Sequence, residues 1–259
     1  MFATFAQWLS AEAFGIFLVF SRVGSAMAVL PGFSEIYVPT RFRLVLAGLL
    51  TFVIAPVVLS RLPPLPQTVS GLLLLEGGEI GIGLFIGIIA RTSFNALQTA
   101  GTLISMQSGL SAAVAFNPTT ATEGALTASF LAAVALVIIF VSDMHHLMLR
   151  ALVESYGLFP PGDPFPIGDF ADAETRLVAS SFSLGVRIAA PFIVFGVIFF
   201  LGLGILARLM PQMQVFFVSQ PAQILLGLVI FAGTLVAAVS VFLGSFQDAL
   251  SIFLGPVPP

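Results

Sequence analysis

The 259-residue chain contains no cysteine and no lysine. The first absence excludes disulfides, thiolate nucleophiles and cysteine-ligated metal, and it assigns no compartment. With lysine missing, all nine basic residues are arginines, scattered from Arg22 to Arg208, so no basic patch for nucleic acid forms among them. Charge is scarce altogether. Only 8% of residues are charged and 58% are hydrophobic, where a soluble domain carries about 25% charged and roughly 45–50% apolar residues. A soluble globule of this size could not cover its surface with so few charges, which excludes a soluble enzyme or a nucleic-acid-binding module. Disorder is excluded as well, because it requires low hydrophobicity and high net charge, and the formal net charge here is −3. Tryptophan and tyrosine are nearly missing: Trp8, Tyr37 and Tyr156 stand against 27 phenylalanines. Membrane spans usually place Trp and Tyr at the two interfaces. A phenylalanine-rich chain without that belt points to burial against protein. The N-terminal stretch MFATFAQWLSAEAFG lacks a basic region and a small-residue cleavage site, and does not read as a signal peptide.

What the chain does have is long apolar runs. A helix needs about 20 mainly apolar residues to cross the hydrocarbon core, and six segments approach that length. They run over about residues 11–30 with Arg22 inside, 44–60 with Pro56 near the end, and 69–90 with Glu76 and Glu79 inside. The others are 124–142 (continuing toward Arg150), 177–207 with Arg187 and Pro191 inside, and 221–246. Helix is the expected state, because backbone groups in lipid must be satisfied within the segment. The expected fold is therefore all-α: a polytopic membrane-type helical protein of about six long apolar helices with broken or re-entrant helical hairpins, in a single domain over residues 1–259. Residues 61–67 (RLPPLPQ) predict an extended turn, and residues 159–170 (FPPGDPFPIGDF), with four prolines and two glycines, predict a loop. Residues 92–123 are too polar for a normal span and too apolar for a solvated loop. Arginines give no orientation: Arg41, Arg43, Arg91 and Arg208 fall on one side of a six-span topology, Arg61, Arg150 and Arg176 on the other.

Few residues could carry chemistry. Glu76 and Glu79 lie three apart, on one helical face. Inside an apolar segment they read either as a proton relay or ion site, or as partners of an arginine on a neighbouring helix or subunit. Arg22 and Arg187 read as gating or substrate-binding groups, or as structural ion pairs and snorkelling contacts. Asp143, His145 and His146 form a sequence cluster, but adjacent helical residues point about 100° apart and no third ligand is evident. No catalytic constellation is present either, so no metal, cofactor or catalytic residue is expected. Gly77 and Gly81, and Gly83 and Gly87, each have the G-x-x-x-G spacing that lets helix backbones approach closely in an apolar medium. Residues 108–122 (SGLSAAVAFNPTTAT) are small, flexible and lightly polar, with Phe116 the one large apolar side chain and Asn117-Pro118 a turn signal. They read equally as a re-entrant hairpin turn and as a mobile plug in a conduit, with Phe116 as a hydrophobic stopper.

Several stretches along nearly the whole chain resemble the FliR family, the R component of the flagellar protein-export gate and its injectisome counterpart. They are Phe20-Ser21-Arg22-Val23-Gly24, Pro31, Val38-Pro39, Arg41, Arg43 and Ala55-Pro56; then Ala100-Gly101, Gln107, Gly109, Asn117-Pro118, His145-His146-Leu147, Ser155 and Pro160-Pro161-Gly162. The fullest match is near the C-terminus: Arg187-Ile188-Ala189-Ala190-Pro191, residues 204–208 (GILAR) and residues 211–221 (PQMQVFFVSQP), which hold the family's turn residues Arg208, Pro211, Gln212, Phe216 and Pro221. Gln214 stands where the family usually has Asn, Ser219-Gln220 replaces a Gly-plus-apolar pair, and Phe200 lies where Asn is common.

The resemblance implies a core subunit of the bacterial flagellar type III export gate in the inner membrane, at the flagellar basal body. Its implied partners are the P and Q gate proteins, other export-apparatus membrane proteins, transient unfolded flagellar subunits and membrane lipid. No enzymatic activity and no cofactor are implied. The family's plug loop falls on about residues 110–122, here Leu110, Ala112, Ala113, Val114, Ala115, Phe116, Asn117 and Pro118. By the same resemblance Arg22, Glu76, Glu79 and Arg187 become intersubunit or interhelical pairs rather than a proton path. The alternatives are an injectisome gate subunit, or a small-solute secondary transporter. The transporter would need a polar midplane site between repeats, and no repeat is evident.

Overall fold

A computed structural model describes residues 2–111 and 126–254, with side chains from residue 12 onward. Among these residues the chain is helical and has no strand. The helices are α1 (Phe2–Met27), α2 (Thr40–Val58), α3 (Val69–Gln107), α4 (Leu126–Val141), α5 (Met144–Leu158), α6 (Ile167–Leu209) and α7 (Val215–Ser251), with a short 3-10 turn at Leu59–Arg61. Four of them, α2 with its 3-10 turn, α3, α6 and α7, are long and apolar enough to cross a membrane. The pair α4 and α5, bent by 71° at Ser142-Asp143, makes a fifth candidate. The protein is a polytopic helical membrane protein. Among the described residues these make five candidates; the first expected segment lies in the 26-residue α1.

Three boundaries differ from the sequence expectation. The ambiguous stretch from residue 92 onward continues α3 as one helix to Gln107. Its buried positions explain why: Leu75, Glu79, Ile82, Ile86, Ile89, Ser93, Leu97, Ala100 and Ile104 recur every three or four residues, the period of a single helical stripe. Two of its hydroxyls are satisfied within the helix, Thr99 donating to the Asn95 carbonyl and Thr102 to that of Gln98. The second difference is the start of α6 at Ile167, inside the stretch expected to be loop. Pro166 stands just before the first turn and Asp169 lies within it, both favourable at a helix N-terminus. The third is the break after α4. Asp143 is left-handed (φ 59°), a conformation Asp tolerates better than most residues.

The described chain packs as two compact units. The first holds residues 2–92, 140–177 and 246–254, the second residues 93–111, 126–139 and 178–245. Helices α3, α4, α6 and α7 each contribute to both. In the first unit α1 buries Leu18, Val19, Arg22, Val23, Ala26 and Met27, a continuous helical stripe with one arginine in it. A phenylalanine cluster fixes the proline-rich connection after α5. Phe170 stacks on Phe85 with ring centroids 3.6 Å apart and receives Phe159 and Phe165 edge-on.

Candidate functional site

Two polar constellations stand out, one in each unit. In the first unit, the stripes of α1 and α3 bring together Arg22 and Glu79, which lie 57 residues apart. Arg22 Nε donates to Glu79 Oε2 at 2.7 Å and Arg22 Nη2 to Oε1 at 2.8 Å, a bidentate pair. Both side chains are sealed from solvent, at 0% and 1% exposure. The remaining donors of Arg22 reach α5 and the loop after it: Nη1 donates to Ser155 Oγ at 3.1 Å and Nη2 to the Phe159 carbonyl at 3.0 Å. The guanidinium lies 3.9 Å from the ring centroid of Tyr156, a cation–π contact in a desolvated setting. One arginine thus joins α1, α3, α5 and the proline-rich connection. A cleft of about 620 Å³ borders Glu79, lined by Pro63, Pro66, Pro160 and Pro164 among others.

Glycine makes this approach possible. At Gly83, one turn beyond Glu79, a Cβ would overlap the Arg22 carbonyl and the Ser25 hydroxyl, and at Gly87 it would lie 2.8 Å from Val29 Cβ. This glycine pair is where α3 meets α1. Gly81 instead faces the Phe165 ring, and Gly77 faces open space. A Cβ at Gly77 would meet nothing among the described residues, because this position lies off the stripe that buries Leu75 and Glu79.

The other two charges singled out in the sequence are placed differently. Glu76 is half-buried and its Oε1 is buried with no hydrogen-bond partner among the described residues. Arg187 is exposed and forms no ion pair among the described residues. Two polar contacts that the sequence reading missed stabilise the first unit. Arg91 pairs with Glu35 at 2.6 Å, and Arg43 donates to the Phe33, Glu35 and Val38 carbonyls, closing the turn between α1 and α2.

In the second unit, the polar contacts gather at the two ends of residues 110–125. At the first end, Gln223 of α7, only 4% exposed, donates from Nε2 to the Gln107 carbonyl at 2.8 Å. That bond satisfies one of the carbonyls left open at the C-terminus of α3. Gly109 turns the chain at φ +75° under the Gln223 amide. Gly196 and Gly227 lie so close that a Cβ on either would overlap Gln107 and Ser108 respectively. At the second end, the Thr127 hydroxyl donates to the Gly101 carbonyl, and a Cβ at Gly101 would overlap the Ala128 backbone. Both ends are thus fixed by side chain to backbone hydrogen bonds and by glycine contacts. Of the residues expected to form a plug, Leu110 is described and half-buried. Ala112, Ala113, Val114, Ala115, Phe116, Asn117 and Pro118 lie outside the described residues.

The turn between α6 and α7 is open to the outside. Arg208, Pro211, Gln212 and Pro221 are exposed, and Phe216 is 56% exposed, flanked by the equally open Phe217 and Val218.

The family described as "Bacterial export proteins, family 1" matches residues 13–249. The chain is 41% identical over 229 residues to the flagellar biosynthetic protein FliR of Caulobacter vibrioides, an alignment covering 86% of this chain and 90% of the relative. It is 30% identical over 230 residues to the flagellar biosynthetic protein FliR of Escherichia coli, covering 88% and 87%. It is also 32% identical over 156 residues to the secretion system apparatus protein SsaT of Salmonella typhimurium, covering 59% of each chain.

Proposed function

The chain belongs to the bacterial export proteins of family 1, and on that premise we propose that it is a core subunit of the flagellar type III protein-export gate. With the P and Q proteins it forms the conduit that passes unfolded flagellar subunits across the inner membrane. The subunit acts as a structural component and not as an enzyme. The observation that carries this reading is likeness along almost the whole length to relatives named flagellar biosynthetic proteins. The likeness to the secretion system apparatus protein covers a smaller share of the chain, which favours the flagellar assignment over the injectisome. Co-expression with the P and Q proteins, followed by purification through a tag on this chain, tests it. Retention of both proteins is expected, and loss of both refutes the assignment.

Within that role, residues 110–122 act as the plug of the resting conduit, with Phe116 as stopper. The support for this is the pinning of both ends of the segment at Gln107 and Thr127. A segment of small residues anchored at both ends suits a plug that stays at the pore. Deleting Ala112–Phe116 makes the assembled gate leak small solutes; an unchanged leak rate refutes the plug. Of the four embedded charges, Arg22 and Glu79 satisfy each other inside the chain. Glu76 and Arg187 are the two left to meet a neighbouring subunit.

A further inference from the structure

The chain has only two histidines and no cysteine. Both histidines lie in the first turn of α5, immediately after the 71° break that follows α4. Asp143, the residue at that break, is the one described non-glycine residue with positive φ. Its carboxylate Oδ1 lies 3.3 Å from His146 Nδ1. The His145 and His146 ring centroids are 4.1 Å apart, and His145 stacks on Phe140 at 5.1 Å. One donor atom from each of Asp143, His145 and His146 lies within 4.8 Å of the other two. The divergence of neighbouring helical side chains therefore does not keep this trio apart. Asp143, just outside the helix, brings a carboxylate within reach as a third donor.

A second observation points to a ligand. His145 is half-buried, and its Nδ1 is buried with no hydrogen-bond partner among the described residues. A buried imidazole nitrogen left unsatisfied costs free energy, and coordination through it would remove that cost. Two imidazoles and one carboxylate form a borderline donor set. Such a set suits zinc(II) and its transition-metal neighbours, while calcium and magnesium prefer all-oxygen sites. Zinc takes nitrogen and carboxylate oxygen at about 2.0–2.2 Å, so the three donors must draw closer than they stand. Asp143 and His146 are free to do so, since their side chains are 77% and 70% exposed.

We propose that Asp143, His145 and His146 form a zinc(II)-binding site that clips the start of α5 to the break after α4. Three protein ligands leave the fourth tetrahedral position open to water or to a donor from a neighbouring chain. The site is independent of the proposed export function.

The test uses the full-length chain in detergent, purified through a histidine-free affinity tag and stripped of metal. Zinc binding is followed by calorimetric titration and by metal analysis after equilibrium dialysis, with far-UV circular dichroism as the check on fold. One saturable zinc per chain is expected. Binding should weaken at least tenfold in His146→Ala and in Asp143→Ala, which change exposed side chains, and vanish in His145→Ala/His146→Ala, which has no histidine left. Millimolar magnesium should not compete. The proposal is overturned by the absence of saturable binding in the natural chain, by binding that survives in the histidine-free variant, or by displacement of zinc by magnesium.

Discussion

Replacing Glu79 with leucine tests the arginine hub most directly. Arg22 is fully buried and makes four hydrogen bonds, two of them to the Glu79 carboxylate at 2.7 and 2.8 Å. Glu79→Leu leaves a buried guanidinium with Nε and one Nη2 proton unpaired and its charge uncompensated. Breaking a buried pair in this way costs about 3–5 kcal/mol, or roughly two to four powers of ten in the unfolding constant. Removing both charges together should cost less. In Arg22→Met/Glu79→Leu no charge is left buried, Ser155 still donates to the Leu152 carbonyl, and the Phe159 carbonyl loses its arginine donor. That single orphan costs about 1–3 kcal/mol. The double variant is therefore expected to be about 2 kcal/mol more stable than Glu79→Leu, and its loss should fall well short of the sum of the two single losses. Chemical unfolding of the purified chain in detergent micelles, followed by far-UV circular dichroism, measures all four corners. A Glu79→Leu loss below about 1 kcal/mol, the range of exposed pairs, would refute the claim that this charge is sealed and compensated. So would a double variant whose loss equals the sum of the singles.

Three other outcomes follow from the same geometry. Gly83→Ala should destabilise the chain by about 1–3 kcal/mol through overpacking, because its Cβ meets the Arg22 carbonyl; Gly77→Ala, facing open space, should be neutral or stabilising by up to about 1 kcal/mol from helix propensity, and the same unfolding titration separates them. Gln223→Leu removes the donor to the Gln107 carbonyl, costs about 1–3 kcal/mol, and should raise solute leak through the assembled gate in the direction of the Ala112–Phe116 deletion. Phe216→Asp, at a 56% exposed position, should leave stability of the isolated chain within about 0.5 kcal/mol while reducing co-purification of the P and Q proteins, as read on a tagged pull-down.

Much of the helical layout was legible in the sequence, because apolar length alone marks membrane-type helices. The Arg22–Glu79 pair was half legible. The i, i+3 spacing put Glu76 and Glu79 on one face, but register decides between them. Leu75, Glu79, Ile82 and Ile86 form the buried stripe and Glu76 falls just outside it, which a finer periodicity reading could have found. That Arg22 would be the partner was not legible, since the contact joins residues 57 positions apart and depends on Gly83 admitting α1. The collar around Gln107 was missed for a similar reason. Gly196, Gly227 and Gln223 come from two different helices, and their shared role exists only after packing. The signal available was Gln223 itself, a long polar side chain inside a mainly apolar run. Residues 92–107 look ambiguous by overall polarity, and only their three-to-four-residue apolar period marks them as helix.

The charge deficit also gains a more specific meaning from where the exposed arginines fall. Arg187 lies inside α6, a helix of 43 residues, about twice what the hydrocarbon core needs. Read against the full helix, an exposed arginine near its middle would be costly in lipid. Residues 188–207, however, carry no charge, and exposed arginines stand at both flanks, Arg187 before them and Arg208 after. That is the length of one membrane crossing at 1.5 Å per residue. Arginines at its two ends can snorkel to the interfaces along their aliphatic stems. The stretch N-terminal to Arg187 carries the acids and hydroxyls of α6. The most apolar part of α7, only 6% buried against 39% for α3, then needs the same apolar covering as residues 188–207. Few charges are needed along these faces because lipid or apolar neighbours cover them, and the arginines serve where the covering ends.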